Sequence, residues 1–285
     1  MIYFIENDYL KVGIKDFGSE LTSIVSKENG REYLWQGNSK IWTGQSPVLF
    51  PIIGRLIDDK YTFNGKEYEM PKHGFARKMP WRFHTKAVDS ISFILSETDE
   101  TLKVYPFCFD LIVTFTLNGR RLTVKHEVLN KTDGKMYFSL GAHPAFNCDI
   151  GDRLVFDEDE NLDTIKIDLE QSLRLPEATP FLRNEKIITV TKDVFNKDAL
   201  IFSGVKSESI TLESDNRSDK IIFNLGKSPY LGIWAKPGAP YVCIEPWFGV
   251  NDSQIKKDDF SQKDGIQILE RNEKFTFCWS AEFNA

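Results

Sequence analysis

In the stretch Leu122 to Leu129, the residues Leu122, Val124, His126 and Val128 fall on one side of an extended chain, and Thr123, Lys125 and Glu127 on the other. A two-residue period fits a strand with one face on a core and the other in water, and it does not fit a helix. The preceding run, Leu111 to Leu117, is joined to it by Asn118-Gly119, a strong hairpin signal. Short β-like runs recur along the chain: Glu20 to Val25, Ile91 to Ser96, Ile187 to Val190, Ile210 to Glu213, Lys220 to Leu225, Tyr230 to Ala235 and Lys274 to Ala281. Turn signals such as Asn64-Gly65 and Thr132-Asp133-Gly134 separate them, and helical patterns are scarce. Strands at this spacing predict an all-β fold, a large antiparallel sandwich or barrel, rather than βαβ units. An aromatic content of 13% suits a broad sheet-on-sheet core. No repeat, linker or compositional step divides the chain, so residues 1–285 are expected to form one domain. The stretch Asp149 to Asp198 is the least regular and is expected to be an elaborated edge or lid.

A net charge of -6 argues against a nucleic-acid partner. The start, Met1 to Asp8, is acidic too early for a signal peptide, and no apolar stretch reaches the length of a membrane span. Cys108, Cys148, Cys243 and Cys278 form no C-x-x-C pair and are expected to be buried free thiols. Together these features predict a cytoplasmic protein with no membrane partner. The acidic runs Asp157 to Glu160 and Asp258-Asp259 are expected to be solvated loops.

Against this background a few titratable residues stand out. His73 lies in Lys72-His73-Gly74-Phe75-Ala76-Arg77, and His143 in Gly141-Ala142-His143-Pro144-Ala145-Phe146. Glu245 ends the apolar run Tyr241-Val242-Cys243-Ile244 and is followed by Pro246-Trp247-Phe248. A carboxylate in such a run is costly unless paired or functional, and burial raises its pKa towards the range of a general base. Imidazole titrates nearest neutrality and suits the partner role. Arg55 ends the apolar, proline-broken crossing Ser46 to Leu56, which delivers a guanidinium in need of a partner. His84 and His126 are assigned to structure. A zinc site built from the two histidines and Glu245 is an alternative for the same residues, although neither H-x-H nor H-E-x-x-H is present. Nucleophile elbows, phosphate-cradling loops and dinucleotide fingerprints are missing from the sequence.

In this order, Gly54-Arg55, Lys72 to Arg77, Gly141 to Phe146 and Ile244-Glu245-Pro246 resemble the motifs of aldose 1-epimerases. The chain is most similar to the LacX-type branch of that galactose mutarotase-like superfamily. The resemblance implies a β-supersandwich whose open face holds a pyranose, with no metal or other cofactor. It implies that Glu245 takes the proton of the C1 hydroxyl and that His143 protonates the ring oxygen. His73 would bond near C1, while Arg55 and Asp198 would hold sugar hydroxyls. The residue after Asp198 is Ala199, where the family carries histidine. Two other readings share the fold: a hexose-6-phosphate mutarotase, with Arg77 on the phosphate, and a non-catalytic sugar sensor. Trp247 and Phe248 are candidates for an apolar sugar platform in any of the three.

Overall fold

The structure, a computed structural model, describes residues 1–284. The predicted hairpin is present as Phe109–Asn118 and Arg121–Asn130. Its turn is Gly119-Arg120, with Gly119 at φ +58 in the first central position, where a tight hairpin turn takes glycine. From Leu122 to Val128 every second side chain is buried, including His126.

This hairpin lies within a nine-stranded antiparallel sheet. One edge of the sheet is Arg82–Lys86, exposed along its whole length. The other edge is a long hairpin of Arg153–Ile167 and Arg174–Thr189. A second sheet runs in the order Leu200–Ser203, Tyr230–Trp234, Tyr241–Phe248, Leu140–Ala142 and Val48–Leu49, with Ala145–Asn147 also paired to Tyr241–Phe248. The two sheets pack face to face. Phe146 meets Phe223 at 5.8 Å between ring centroids, and Phe248 meets Phe277 at 4.9 Å. The aromatic residues seen in the composition therefore fill the space between the sheets. The single α-helix among the described residues, Asp99–Val104, is capped by Thr98. Among the described residues no helix is long and apolar enough to cross a membrane.

The strand Tyr241–Phe248 is covered on both faces, and its pleat determines what each residue can reach. Phe248 points into the sandwich, so it is not a sugar platform. Glu245 and Trp247 share the opposite face, which opens on a cavity.

Several expectations are corrected. Asp157 to Glu160 is not a loop: it lies within Arg153–Ile167. Glu160 is fully buried because it accepts the backbone N–H groups of Lys206 and Ser207, at 3.0 and 2.8 Å. The stretch Asp149 to Asp198 does form a sheet edge, as expected, but as the two longest strands rather than as irregular chain. All four cysteines are free, but Cys278 is exposed and Cys108 only half-buried. Cys278 falls on the solvent side of the pleat in Lys274–Asn284.

Candidate active site

A cavity of about 220 Å³ opens on the outer face of the second sheet. Its lining includes His73, His143, Asp198 and Glu245, joined by Lys72 and Arg77. Trp42, Trp234 and Trp247 supply aromatic walls, and Ile167, Ile201 and Asn251 complete the enclosure.

Glu245 is positioned by its strand and has almost no contact with solvent, at 1% exposure. The residue directly across from it, in Tyr230–Trp234, is Gly232. A Cβ added to Gly232 would lie 2.7 Å from Cζ2 of Trp247, and one on Gly141 would lie 2.7 Å from its Cδ1. The missing side chains on both neighbouring strands leave the room that the indole occupies. Burial holds the Glu245 carboxyl well above the usual carboxylate range; the Trp247 indole N–H and the Lys72 cation act in the opposite direction. That indole nitrogen is near enough to pull on the carboxyl without completing a hydrogen bond to it.

His143 sits in the short break between Leu140–Ala142 and Ala145–Asn147. The Pro144 carbonyl anchors this break by accepting the N–H of Ile244 at 3.2 Å. Nε2 of His143 lies 3.1 Å from Oε2 of Glu245. The two atoms are adjacent, but Oε2 has no aligned hydrogen-bond donor. Trp42 lies 5.2 Å from the imidazole and Trp234 lies 5.8 Å from it, centroid to centroid, and the two indoles meet nearly at right angles. This dry box pushes the His143 pKa down to about 3, chiefly by desolvation. Burial thus pushes both groups towards their uncharged forms, the carboxyl towards its protonated state and the imidazole towards its neutral one.

His73 adopts a left-handed backbone, φ +65, and is followed by Gly74 at φ +70. A Cβ on Gly74 would strike the Phe50 carbonyl at 2.2 Å, so this turn requires glycine. The His73 ring stands 6.0 Å from that of His143. Its pKa is also depressed, first by burial and then by the neighbouring His143, Arg77 and Lys72. Asp198 reaches the rim from a turn at φ +75, where its Oδ1 accepts the N–H of Ala199 at 2.8 Å.

Arg55 does not join this group. Its guanidinium makes two bonds to Asp59, at 2.8 and 2.6 Å, and it does not line the cavity. The nearby turn Ile57–Asp59 brings an i,i+4 carboxylate within reach of the arginine. Arg77 stands in the cavity instead. Four aromatic or polar lining side chains went unnoticed in the sequence: Trp42, Lys72, Trp234 and Asn251. The only local signals were Trp42 alone between Gly37 and Gly44, and Lys72 directly before His73.

Four buried polar atoms on this cavity have no protein partner: Oε2 of Glu245, Nδ1 of His143, Nε1 of Trp247 and Nε of Arg77. Unmet polar groups converging on one space are the mark of a ligand site.

Comparison with known proteins agrees with this architecture. Residues 1–266 match the family model of aldose 1-epimerase. The plasmid-encoded protein LacX of Lactococcus lactis subsp. lactis is 34% identical over 264 residues, which span 87% of this chain and 88% of that protein. A galactose mutarotase related enzyme from Lactobacillus acidophilus superposes with a TM-score of 0.95 at 32% identity, covering 100% of this chain and 98% of the other. A galactose mutarotase-like protein from Lactobacillus casei ATCC 334 gives 0.94 at 29% identity, with both chains covered in full. By sequence and by fold, this chain belongs to the aldose 1-epimerase family.

Proposed function

We propose that the protein interconverts the α and β anomers of an aldose by acid/base-catalysed ring opening and closure, with Glu245 as base and His143 as acid. One observation carries this reading: a buried carboxyl and a buried imidazole, 3.1 Å apart, face one cavity with their polar atoms unmet. Glu245 removes the proton of the C1 hydroxyl while His143 donates one to the ring oxygen. The bond from C1 to the ring oxygen breaks and C1 becomes a carbonyl. Rotation about C1–C2 presents the other carbonyl face, and the same two residues run closure in reverse. Carboxylate with imidazolium and carboxyl with neutral imidazole carry the same single proton, so the pair can pass between these forms by moving one proton across it. His73 accepts the Gly54 N–H at Nδ1, which leaves its Nε2–H as a donor near the reacting centre. Asp198 holds a sugar hydroxyl at the rim. The cavity is smaller than the roughly 300–1,000 Å³ typical of drug-sized ligands, which favours a single ring.

A second observation favours an anionic sugar such as a hexose 6-phosphate over a free hexose. Among the described residues every arginine except Arg77 and Arg82 is ion-paired. Arg82 lies on an exposed edge, whereas Arg77 lines the cavity with its Nε unpartnered. Lys72 beside it has no ion-pair partner either. Arg77 is half-buried and donates one N–H to the Lys72 carbonyl at 2.8 Å, but no carboxylate pairs with it among the described residues; a bound anion would offset the cost of holding that charge there.

NMR saturation transfer between α and β anomers, run across free and 6-phosphorylated hexoses, tests both readings. Accelerated exchange for at least one sugar is expected, with the phosphorylated sugars ahead. Sugar binding without acceleration anywhere in the screen would instead mark a sensor.

A further inference from the structure

Cys243 has no part in the proton transfers, yet it lies against the groups that make them. It precedes Glu245 by two residues on one strand, so both side chains leave the same face. His143 approaches that face from the neighbouring break. A nitrogen, a sulfur and an oxygen from His143, Cys243 and Glu245 all lie within 4.8 Å of one another, and all three residues are buried. Among the described residues no other set of three such side chains is gathered in this way.

We propose that His143, Cys243 and Glu245 form a site for a thiophilic divalent cation of the zinc class, and that metal and sugar exclude each other there. Zinc takes nitrogen, sulfur and oxygen ligands, and sites with three protein ligands leave one position open, here towards the cavity. Tetrahedral zinc with ordinary bond lengths sets its ligand atoms about 3.5 Å apart, so side-chain movements of about 1 Å close the set. No protein hydrogen bond need be broken at Oε2 of Glu245 or Nδ1 of His143, which have none. Binding replaces bonds from the metal to water with bonds to sulfur, nitrogen and oxygen, and releases the thiol proton, with any proton shared by Glu245 and His143, to solvent, with no change of oxidation state. The thiolate selects zinc over magnesium or calcium. Lys72 and Arg77 on the same cavity repel hard cations that lack that compensating bond. The metal is an inhibitor in this proposal, not a cofactor.

The exclusion of sugar rests on the epimerase reading; the metal site does not. Cobalt(II) titrated into the full-length protein is the probe, because thiolate ligation gives a near-ultraviolet charge-transfer band. One cobalt per chain is expected, displaced by stoichiometric zinc, with the band lost and affinity at least about tenfold weaker in Cys243→Ala. Where that variant fails to fold, Cys243→Ser preserves the volume and gives the same comparison, since a hydroxyl produces no such band. A missing band in the wild-type protein, or one that survives either substitution, overturns the site. For any sugar that is turned over, zinc should raise KM with little change in kcat. Turnover indifferent to saturating zinc overturns the exclusion. If no sugar is turned over in the screen, the epimerase reading falls while the cobalt result stands by itself.

Discussion

Gly54 and His73 hold each other through two hydrogen bonds, from Gly54 N–H to His73 Nδ1 at 3.1 Å and from His73 N–H to the Gly54 carbonyl at 2.8 Å. The ring is thereby fixed in one tautomer, with its proton on Nε2. Long-range ¹⁵N–¹H correlation spectra should show His73 neutral and protonated at Nε2 through neutral pH, where its depressed pKa keeps it uncharged. A dominant Nδ1–H form would overturn the donor role assigned to it.

Glu245→Gln and His143→Asn should each lower the anomerisation rate by about two to four orders of magnitude. Sugar affinity should change much less, because part of each polar contact survives. The double variant should lose less than the product of the two effects, since groups that act as a unit are not additive. Full turnover in Glu245→Gln would remove the mechanism.

The same pair governs the pH profile. His143 takes a second proton only near pH 3, and the raised Glu245 carboxyl gives up the shared proton well above the ordinary carboxylate range. Between these limits the pair holds one proton. kcat/KM should therefore be flat between them, falling on the acid side as His143 charges and on the alkaline side as Glu245 ionises. A profile rising through pH 6.5 with the slope of an ordinary histidine would contradict this.

Arg55 and Arg77 should behave oppositely. Arg55→Ala breaks a half-exposed pair with Asp59 and should leave sugar affinity within about twofold of wild type. Arg77→Met should selectively reduce kcat/KM for 6-phosphorylated sugars. Equal losses on free and phosphorylated sugars would argue against a phosphate contact.

His126 offers a test of stability. It is buried in the sandwich, stacks on Phe277 at 5.4 Å and lines a small internal cavity with Ser19 and Trp279. Desolvation pushes its pKa from 6.5 down to about 3. Within that window the unfolded chain binds a proton that the folded chain does not, so stability rises with pH and is lost as pH falls. One such group contributes about 1.4 kcal/mol per pH unit. Urea unfolding at several pH values in that window should give a curve flatter by about that amount in His126→Phe. An unchanged slope would show that other groups set the acid sensitivity.

What the sequence made legible follows physical range. The hairpin from Phe109 to Asn130 could be read because burial in a strand follows from local alternation and a two-residue turn. His73, His143 and Glu245 could be singled out because each lies at a turn or in an apolar run where its presence is costly. Glu160 was misjudged because its burial depends on N–H groups 46 and 47 residues away. Arg55 stands off the cavity because motif position does not determine side-chain direction, and Asp59 engages the guanidinium locally. Trp42 and Trp234 were missed because their meeting around His143 exists only once separate segments have packed.

The tip of the long edge hairpin reaches back to the cavity. Ile167 forms part of its wall, the Asn251 side chain donates to the Ser172 carbonyl at 2.8 Å, and Arg174 donates to the Asn251 carbonyl at 2.7 Å. Glu245 and His143 stand instead on and beside the central strand of the other sheet. One flank of the enclosure thus hangs from a different support than Glu245 and His143. Exchanging the hairpin tip should therefore reshape that flank of the cavity without displacing the strand that carries Glu245, so the breadth of what the cavity admits can be retuned apart from the residues at its centre.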